Sequence, residues 1–339
     1  MNLLIVANHF CVCSARYATA AFERLGHTVK HVGPAMGRNI WELTLPEAYV
    51  WEPNKDFVVI GHSTQSSDYA ISMQHDGIAT YAPDLIIVMD SDPEILNAQK
   101  SAPDTVPMIV WGVDNHVRDY RRPYFEHYFL AHRNGSVMEW DSKDAAGYPM
   151  YDRGDGFAVV SLGKDHLDMT HIPCCYDPTL HTPSPIPFEQ REYDVCMIGY
   201  MYPQRWRLVK ALREAGFKVL AGCGLVYDSY VTAYHNARIS LCISAHKDVA
   251  QRVMETARMG CVVMTDPCPD YSLLKPNGFY LLDSTESAEV VQAVKDVLHD
   301  PEQAQAMITQ SMAWAEPYNW DNAARKVVGW YDQRSAAID

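Results

Sequence analysis

The sequence predicts an α/β protein of two Rossmann-like domains closed by C-terminal helices, and three observations carry that expectation. Runs such as 85–89 (Leu-Ile-Ile-Val-Met) and 108–111 are apolar throughout. Strands covered on both faces of a parallel sheet read this way, whereas half-exposed strands alternate. A strand–helix rhythm occurs twice, with a proline-bearing stretch at 171–187 between the two passes. The length, 339 residues, exceeds the ~250–300 at which single hydrophobic cores stop growing. Domains over 1–175 and 176–320 follow, with 321–339 as a terminal helix packing back toward the first.

Along the chain, 3–8 is a buried strand and 14–25 a helix stopped by Gly26. Strand 28–32 follows, then an irregular stretch over 33–56 and a short apolar run, 57–60, leading into Gly61-His62-Ser63-Thr64. Strands 85–89 and 108–111 end at or just before an aspartate, Asp90 and Asp114. Ligands of open parallel sheets sit beyond the carboxyl ends of strands. His9, Asp90, Ser91, Asp92, Asp114, Asn115 and His116 all fall there. Five glycines make 133–170 the least regular part, with one strand expected over 157–162. After the linker come strand 194–198, helix 206–215, strand 217–221, helix 228–236 and strand 239–244. Helix 249–258, strands 261–265 and 279–282 and helix 287–298 complete the unit, and helices 301–314 and 322–331 close the chain.

Charge narrows the partners. Lys and Arg total 28 against 42 Asp and Glu, a net charge of −14, which disfavours a broad nucleic-acid footprint. Arg118, Arg121, Arg122 and Arg133 run against that average, as either an anion-facing patch or a solvated face. Nine cysteines, an odd number, lie partly inside apolar runs such as 195–198 and 241–243, the pattern of reduced, buried thiols in a cytoplasmic protein. Cys11-Val12-Cys13 and Cys174-Cys175 do not have zinc spacing, and no metal is expected. The N-terminus reads as a first strand rather than a signal peptide, and no apolar run approaches the ~20 residues of a membrane span.

The most informative block is 248–266. It reads as a helix, a glycine stop and a buried strand running to Asp266. Arg252 and Glu255 are three apart and share a helical face near its start. An arginine fork can clamp phosphate and a carboxylate can accept from sugar hydroxyls. The same spacing also suits an ordinary surface ion pair. Aromatics between Trp111 and Tyr151 offer either a sugar platform or core packing.

With both halves laid out, the chain resembles the GT-B glycosyltransferases, with two facing Rossmann-like domains, and within them the CgeB-like, glycosyltransferase family 1-like group. The matching pieces are Tyr193-Asp-Val-Cys-Met-Ile-Gly199 with Arg205 after it, Tyr234-His-Asn236-Ala-Arg-Ile-Ser-Leu-Cys-Ile, the Asp248…Arg252…Glu255…Gly260 block, Asp266 and Gly278-Phe-Tyr-Leu-Leu. In the first half, 82–90, 106–114 and the hinge-like 172–178 match more loosely. The resemblance implies that the C-terminal domain holds a nucleotide-sugar, a UDP-sugar, as co-substrate with no separate cofactor, while the N-terminal domain presents the acceptor. It assigns Glu255 to the donor ribose, Arg252 and Arg205 to the diphosphate, and Gly199 to close backbone approach. Many retaining relatives carry a glutamate eight positions before the ribose glutamate. Lys247 stands there, so the stereochemical course stays open.

Sugar transfer needs a held diphosphate, stabilised leaving-group charge and a base for the acceptor hydroxyl. Arginine and helix N-termini supply the first two. For an inverting enzyme the base comes from the N-terminal domain, with Asp114 first, His9 second, and His116 and Asp90 the other candidates. His246, beside the donor block, can touch the sugar or phosphate. The acceptor can be a small molecule, a glycan, a protein or a hydroxymethylated DNA base of the phage type. A nucleotide-sugar epimerase and a non-catalytic two-lobed binding protein are the other readings.

Overall fold

The computed structural model describes residues 1–7, 14–32, 82–89, 106–113, 125–132, 142–143, 149–152, 158–160, 169–199, 201–225, 227–244 and 248–337. They fall into two compact units. One holds the described residues up to Cys174 together with those from Trp320 on, and the other lies within Cys175–Asn319.

The first unit is a parallel sheet of six strands. In chain order these are β1 (Asn2–Val6), β2 (Thr28–Val32), β3 (Leu85–Met89), β4 (Met108–Gly112), β5 (His127–Leu130) and, later, β9 (Met169–His171). Their spatial order is β2-β1-β3-β4-β5-β9. Leu4, Val6, Ile86, Val88, Val110 and Tyr128 build a core on one face. On the other, the Trp111 ring meets Phe22 of α1 (Ser14–Arg24) at 6.2 Å and Trp320 of the terminal helix α8 (Trp320–Ala336) at 5.3 Å. Two ion pairs flank that packing. Arg24 donates to Asp321 at 2.9 and 2.6 Å, and Arg334 pairs with Glu126. Exposed pairs contribute only ~0–1 kcal/mol each, so the buried tryptophans dominate the docking of α8. Among the aromatics weighed as a sugar platform, Trp111, Phe125 and Tyr128 are buried core residues.

The stretch read as irregular holds a three-stranded antiparallel sheet, β6 (Ser142–Lys143), β7 (Pro149–Asp152) and β8 (Ala158–Val160). β8 lies within the strand expected over 157–162, while β6 and β7 are too short to give a periodicity. β5 and β9 also went unread, because His, Tyr and Thr interrupt their apolar character.

The second unit is a five-stranded parallel sheet. β10 (Tyr193–Ile198), β11 (Val219–Gly222), β12 (Ala237–Cys242), β13 (Val262–Thr265) and β14 (Tyr280–Leu281) lie in the order β11-β10-β12-β13-β14. Side chains alternate across it as the strand period requires. Val195, Met197, Ile239, Leu241, Val262 and Met264 pack with α2 (Pro203–Glu214), α6 (Ser287–His299) and α7 (Pro301–Ala315). Cys196, Ile198, Leu220, Cys242 and Val263 point the other way, toward α3 (Tyr227–His235) and α4 (Gln251–Arg258). Helix α2 starts three residues before its expected position because Pro203 occupies its first turn, where a fixed φ helps and a missing N–H costs nothing. A short helix, α5 (Tyr271–Leu274), was not foreseen. No helix among the described residues is long and apolar enough to cross a membrane.

Candidate active site

The order of the second sheet locates the site. Strand β10 lies between its successor β11 on one side and β12 on the other. The chain therefore changes direction between β10 and β12, and in such sheets a crevice opens there at the carboxyl ends. Gly199 follows β10, and Ile243 and Ser244 follow β12. Helices α2 and α4 both begin without a hydrogen bond from the side chain of the N-cap residue, Tyr202 and Ala250, and the positive ends of their dipoles lie at their first turns.

Gly199 adopts φ +142°, and its N–H donates to the Gly222 carbonyl at 2.7 Å. The preceding Ile198 N–H donates to the Tyr234 hydroxyl at 3.1 Å, so the strand end is held from both sides. The Arg252 guanidinium lies against Gly199. A Cβ placed on that glycine would be 2.6 Å from Nη2 and 3.3 Å from Cζ. Nη1 of Arg252 is buried and has no hydrogen-bond partner among the described residues. Burial works to lower the pKa of this arginine, but Tyr234, Cys242, Tyr230 and Glu255 together raise it above its ordinary value. Of those four groups only Glu255 is of a type ionised at neutral pH.

Arg205, in the first turn of α2, is likewise buried. Its Nε donates to the Ile243 carbonyl at 2.9 Å and Nη2 to the same oxygen at 2.5 Å. Burial first, and then the neighbouring Arg252 charge, pull its pKa down to about 10. Two guanidinium groups in mutual repulsion, one held by the Ile243 carbonyl and one lying against Gly199, form a concentration of positive charge that an anion would neutralise.

Glu255 sits one turn beyond Arg252 and is 6% exposed. Its Oε2 accepts from the Tyr230 hydroxyl at 2.6 Å and its Oε1 from the Gln251 amide at 2.7 Å. The surface ion pair weighed for Arg252 and Glu255 is thus not what forms, since the carboxylate faces inward onto Tyr230. Asp266, 1% exposed, accepts the Ser244 N–H on Oδ1 at 2.8 Å. Ser244 in turn donates from Oγ to Asp248 at 2.7 Å and accepts the Asp248 N–H at 2.9 Å. Asp266 therefore shapes the backbone leaving β12.

Residues 187–328, most of this unit, match the family model described as glycosyl transferase-like. The whole chain superimposes on GT-B enzymes. Sucrose-phosphate synthase from Thermosynechococcus elongatus shares 13% identity at TM-score 0.57, with 99% of each chain covered. Anabaena HepE in complex with UDP and glucose shares 10% at TM-score 0.61, covering 98% of this chain and 100% of that one. Its fold is that of the GT-B glycosyltransferases, and residues 187–328 carry a glycosyl transferase-like region.

An α-glucosyltransferase in complex with UDP and a 13-mer DNA containing an HMU base is 11% identical to this chain, at TM-score 0.56 over 98% of this chain and 99% of that one. At such identities the likeness is one of fold. No curated protein matches the chain in sequence.

Of the residues expected at the donor site, Gly199, Arg205, Arg252 and Glu255 come together around the β10–β12 switch point, and Asp266 lies on the adjoining loop. His246, Asp114, His9 and His116 lie outside the described residues, as do Arg118, Arg121, Arg122 and Arg133. Sequence reasoning missed Tyr230, Tyr234 and His181. The two tyrosines are four apart on α3, a spacing that signals a shared face. His181 approaches Glu255 from a segment far away in sequence, and nothing local to it points there.

Proposed function

We propose that this glycosyltransferase moves a sugar from a UDP-sugar to an acceptor hydroxyl, holding the donor diphosphate with arginines rather than a metal ion. The observation that carries the reading is the pair of buried guanidinium groups, Arg252 with its unpartnered Nη1 and Arg205 beside it, at the carboxyl ends of β10 and β12. The bond from the anomeric carbon to the diphosphate oxygen breaks, and the acceptor oxygen bonds to that carbon. The acceptor proton passes to a base, and the charge left on the nucleoside diphosphate falls on Arg252, Arg205 and the first-turn N–H groups of α2 and α4. Glu255 accepts from the ribose hydroxyls through the lone pairs that Tyr230 and Gln251 leave open. His246 reaches the sugar or phosphate.

In this reading residues 176–320 serve the donor and 1–175 the acceptor, with Asp114 as the base and His9 and His116 as the other candidates. Asp114→Asn is then expected to slow turnover while leaving donor affinity intact. UDP is favoured because HepE binds it. A DNA acceptor belongs in any screen because the α-glucosyltransferase was captured with UDP and HMU-containing DNA, although the net charge of −14 opposes it. Seven free, buried cysteines support a reducing, cytoplasmic setting.

The test is thermal unfolding with UDP, ADP, GDP and their sugars, with and without a chelator. UDP at 100-fold over its Kd is expected to stabilise by about 2.7 kcal/mol, unchanged by the chelator. Stabilisation by no nucleoside diphosphate overturns the reading, and stabilisation abolished by the chelator overturns its metal-free form.

A further inference from the structure

Tyr230 and Gln251 bond the two oxygens of the Glu255 carboxylate, and a third group stands against it. That group is His181, 1% exposed, on the segment by which the chain enters the second unit. Its Nδ1 accepts the Asp177 N–H at 2.9 Å. A nitrogen that accepts carries no hydrogen, so in the neutral ring the proton is on Nε2. That nitrogen faces Glu255, 3.6 Å from Oε1. The ring cannot turn away, because the turn beneath it is tied several times over. Asp177 Oδ1 accepts from the Thr179 N–H at 2.8 Å, the Thr179 hydroxyl at 2.6 Å and the Leu180 N–H at 3.2 Å. The His181 N–H closes the turn onto the Asp177 carbonyl at 2.9 Å. The imidazole also stands edge-on to Tyr230, with centroids 6.1 Å apart, and Tyr230 is the residue bonded to the other carboxylate oxygen.

We propose that His181 is a positioning residue for donor binding: the Asp177–His181 turn holds the imidazole against Glu255 and aims its carboxylate at the ribose diol. The inference rests on the reading of Glu255 as the ribose acceptor. At 3.6 Å the His181 N–H is too far for a full hydrogen bond. It biases the carboxylate orientation while leaving Oε1 able to accept a sugar hydroxyl. Gln251, Tyr230 and His181 then act as three walls around one anion, two from helices and one from the segment entering the unit. A histidine kept only for packing would present an apolar edge to its neighbours. Here one ring nitrogen is bonded to the turn and the other faces the carboxylate at 3.6 Å.

The experiment measures UDP, 2′-deoxy-UDP and inorganic pyrophosphate binding by calorimetry to wild type, His181→Ala and His181→Gln, with unfolding midpoints recorded for each. Wild type is expected to prefer UDP over 2′-deoxy-UDP. In His181→Ala the UDP affinity is expected to fall about tenfold and that preference to collapse, with pyrophosphate binding unchanged because Arg252 and Arg205 are untouched. His181→Gln keeps an N–H donor at similar reach and is expected to restore part of the preference, and it serves alone if the alanine variant fails to fold. A preference for UDP undiminished in both variants overturns the inference while leaving the donor site standing. Equal loss of UDP and pyrophosphate overturns it in favour of a purely structural histidine. A wild type that binds UDP and 2′-deoxy-UDP equally removes the ribose role of Glu255, and the inference with it.

Discussion

The guanidinium of Arg252 occupies the space that a side chain on Gly199 would need. A Cβ there would lie 2.6 Å from Nη2 and 3.3 Å from Cζ. The glycine is thus required twice, once for its φ of +142°, which side-chain-bearing residues rarely adopt, and once for the arginine laid across it. Gly199→Ala is expected to push the guanidinium off its position and lower nucleoside diphosphate affinity by about tenfold or more. The loss of folding stability is expected to be about 1–3 kcal/mol, the cost of an unfavourable backbone region. Calorimetry with UDP and a denaturation curve on the same variant separate the two effects. Wild-type affinity in the alanine variant places the diphosphate elsewhere.

Arg252 itself offers a sharper test, because stability and function pull in opposite directions there. A buried cation with an unpartnered Nη1 is costly in the empty protein, and replacing such a group with an apolar residue of similar length is often neutral or stabilising. Arg252→Met is therefore expected to unfold at an equal or higher denaturant midpoint than wild type, while UDP affinity drops about 100-fold or more for want of the charged fork. Arg252→Lys keeps a charge but not the planar geometry and is expected to bind in between. Chemical denaturation with and without UDP reads both quantities. A methionine variant that is less stable and still binds UDP shows that the arginine is structural.

How legible this was in the sequence depends on the reach of the signal. Continuous apolar runs carry their own evidence, so Leu85–Met89 and Ser287–His299 appear where periodicity placed them or within a residue of it. Arg252 and Glu255 were legible as a pair because helical spacing is local. Their inward orientation was not, since it depends on Tyr230 from another helix and on Gly199 from another strand. His181 was invisible for the same reason in stronger form. It meets Glu255 only after the whole sheet has folded, and no periodicity spans that interval. The short antiparallel strands Ser142–Lys143 and Pro149–Asp152 failed differently, since two to four residues hold too little pattern to be told from loop, whereas the apolar run over 157–162 did mark Ala158–Val160.

The thiols give a pH dependence with a definite sign. Burial pushes Cys223 up to about 11, and Cys261 up to about 12 against an opposing pull from Arg191; the ordinary value for both is 9.0. Below pH 9 both folded and unfolded chains carry neutral thiols and no stability changes hands. Between that value and the folded-state values the unfolded chain ionises first, so the folded protein loses stability as pH rises past about 9. Of nine cysteines seven are free and buried, leaving Cys11 and Cys13. At pH 8 a thiol reagent such as DTNB is therefore expected to label no more than those two in the native protein, and all nine in denaturant. Rapid native labelling of further thiols contradicts the burial on which the sign depends.

Gly278 separates fold from site most cleanly. It has φ +76°, and a Cβ there would lie 2.3 Å from the Met307 carbonyl oxygen, 2.6 Å from Gln310 Cβ and 2.6 Å from the Ser311 nitrogen. Two of those atoms are backbone of α7, which cannot yield locally without breaking its own hydrogen bonds. That helix also places Ala304 and Ile308 in the main core. Gly278→Ala must therefore move the helix or the loop, and left-handed strain adds to overpacking, for an expected loss of about 3 kcal/mol or more. None of the three neighbours bonds to Arg252, Arg205 or Glu255. The fraction that stays folded at low temperature is therefore expected to bind UDP with wild-type Kd, in contrast to Gly199→Ala. A fall in affinity without a fall in stability would reverse the roles assigned to the two glycines.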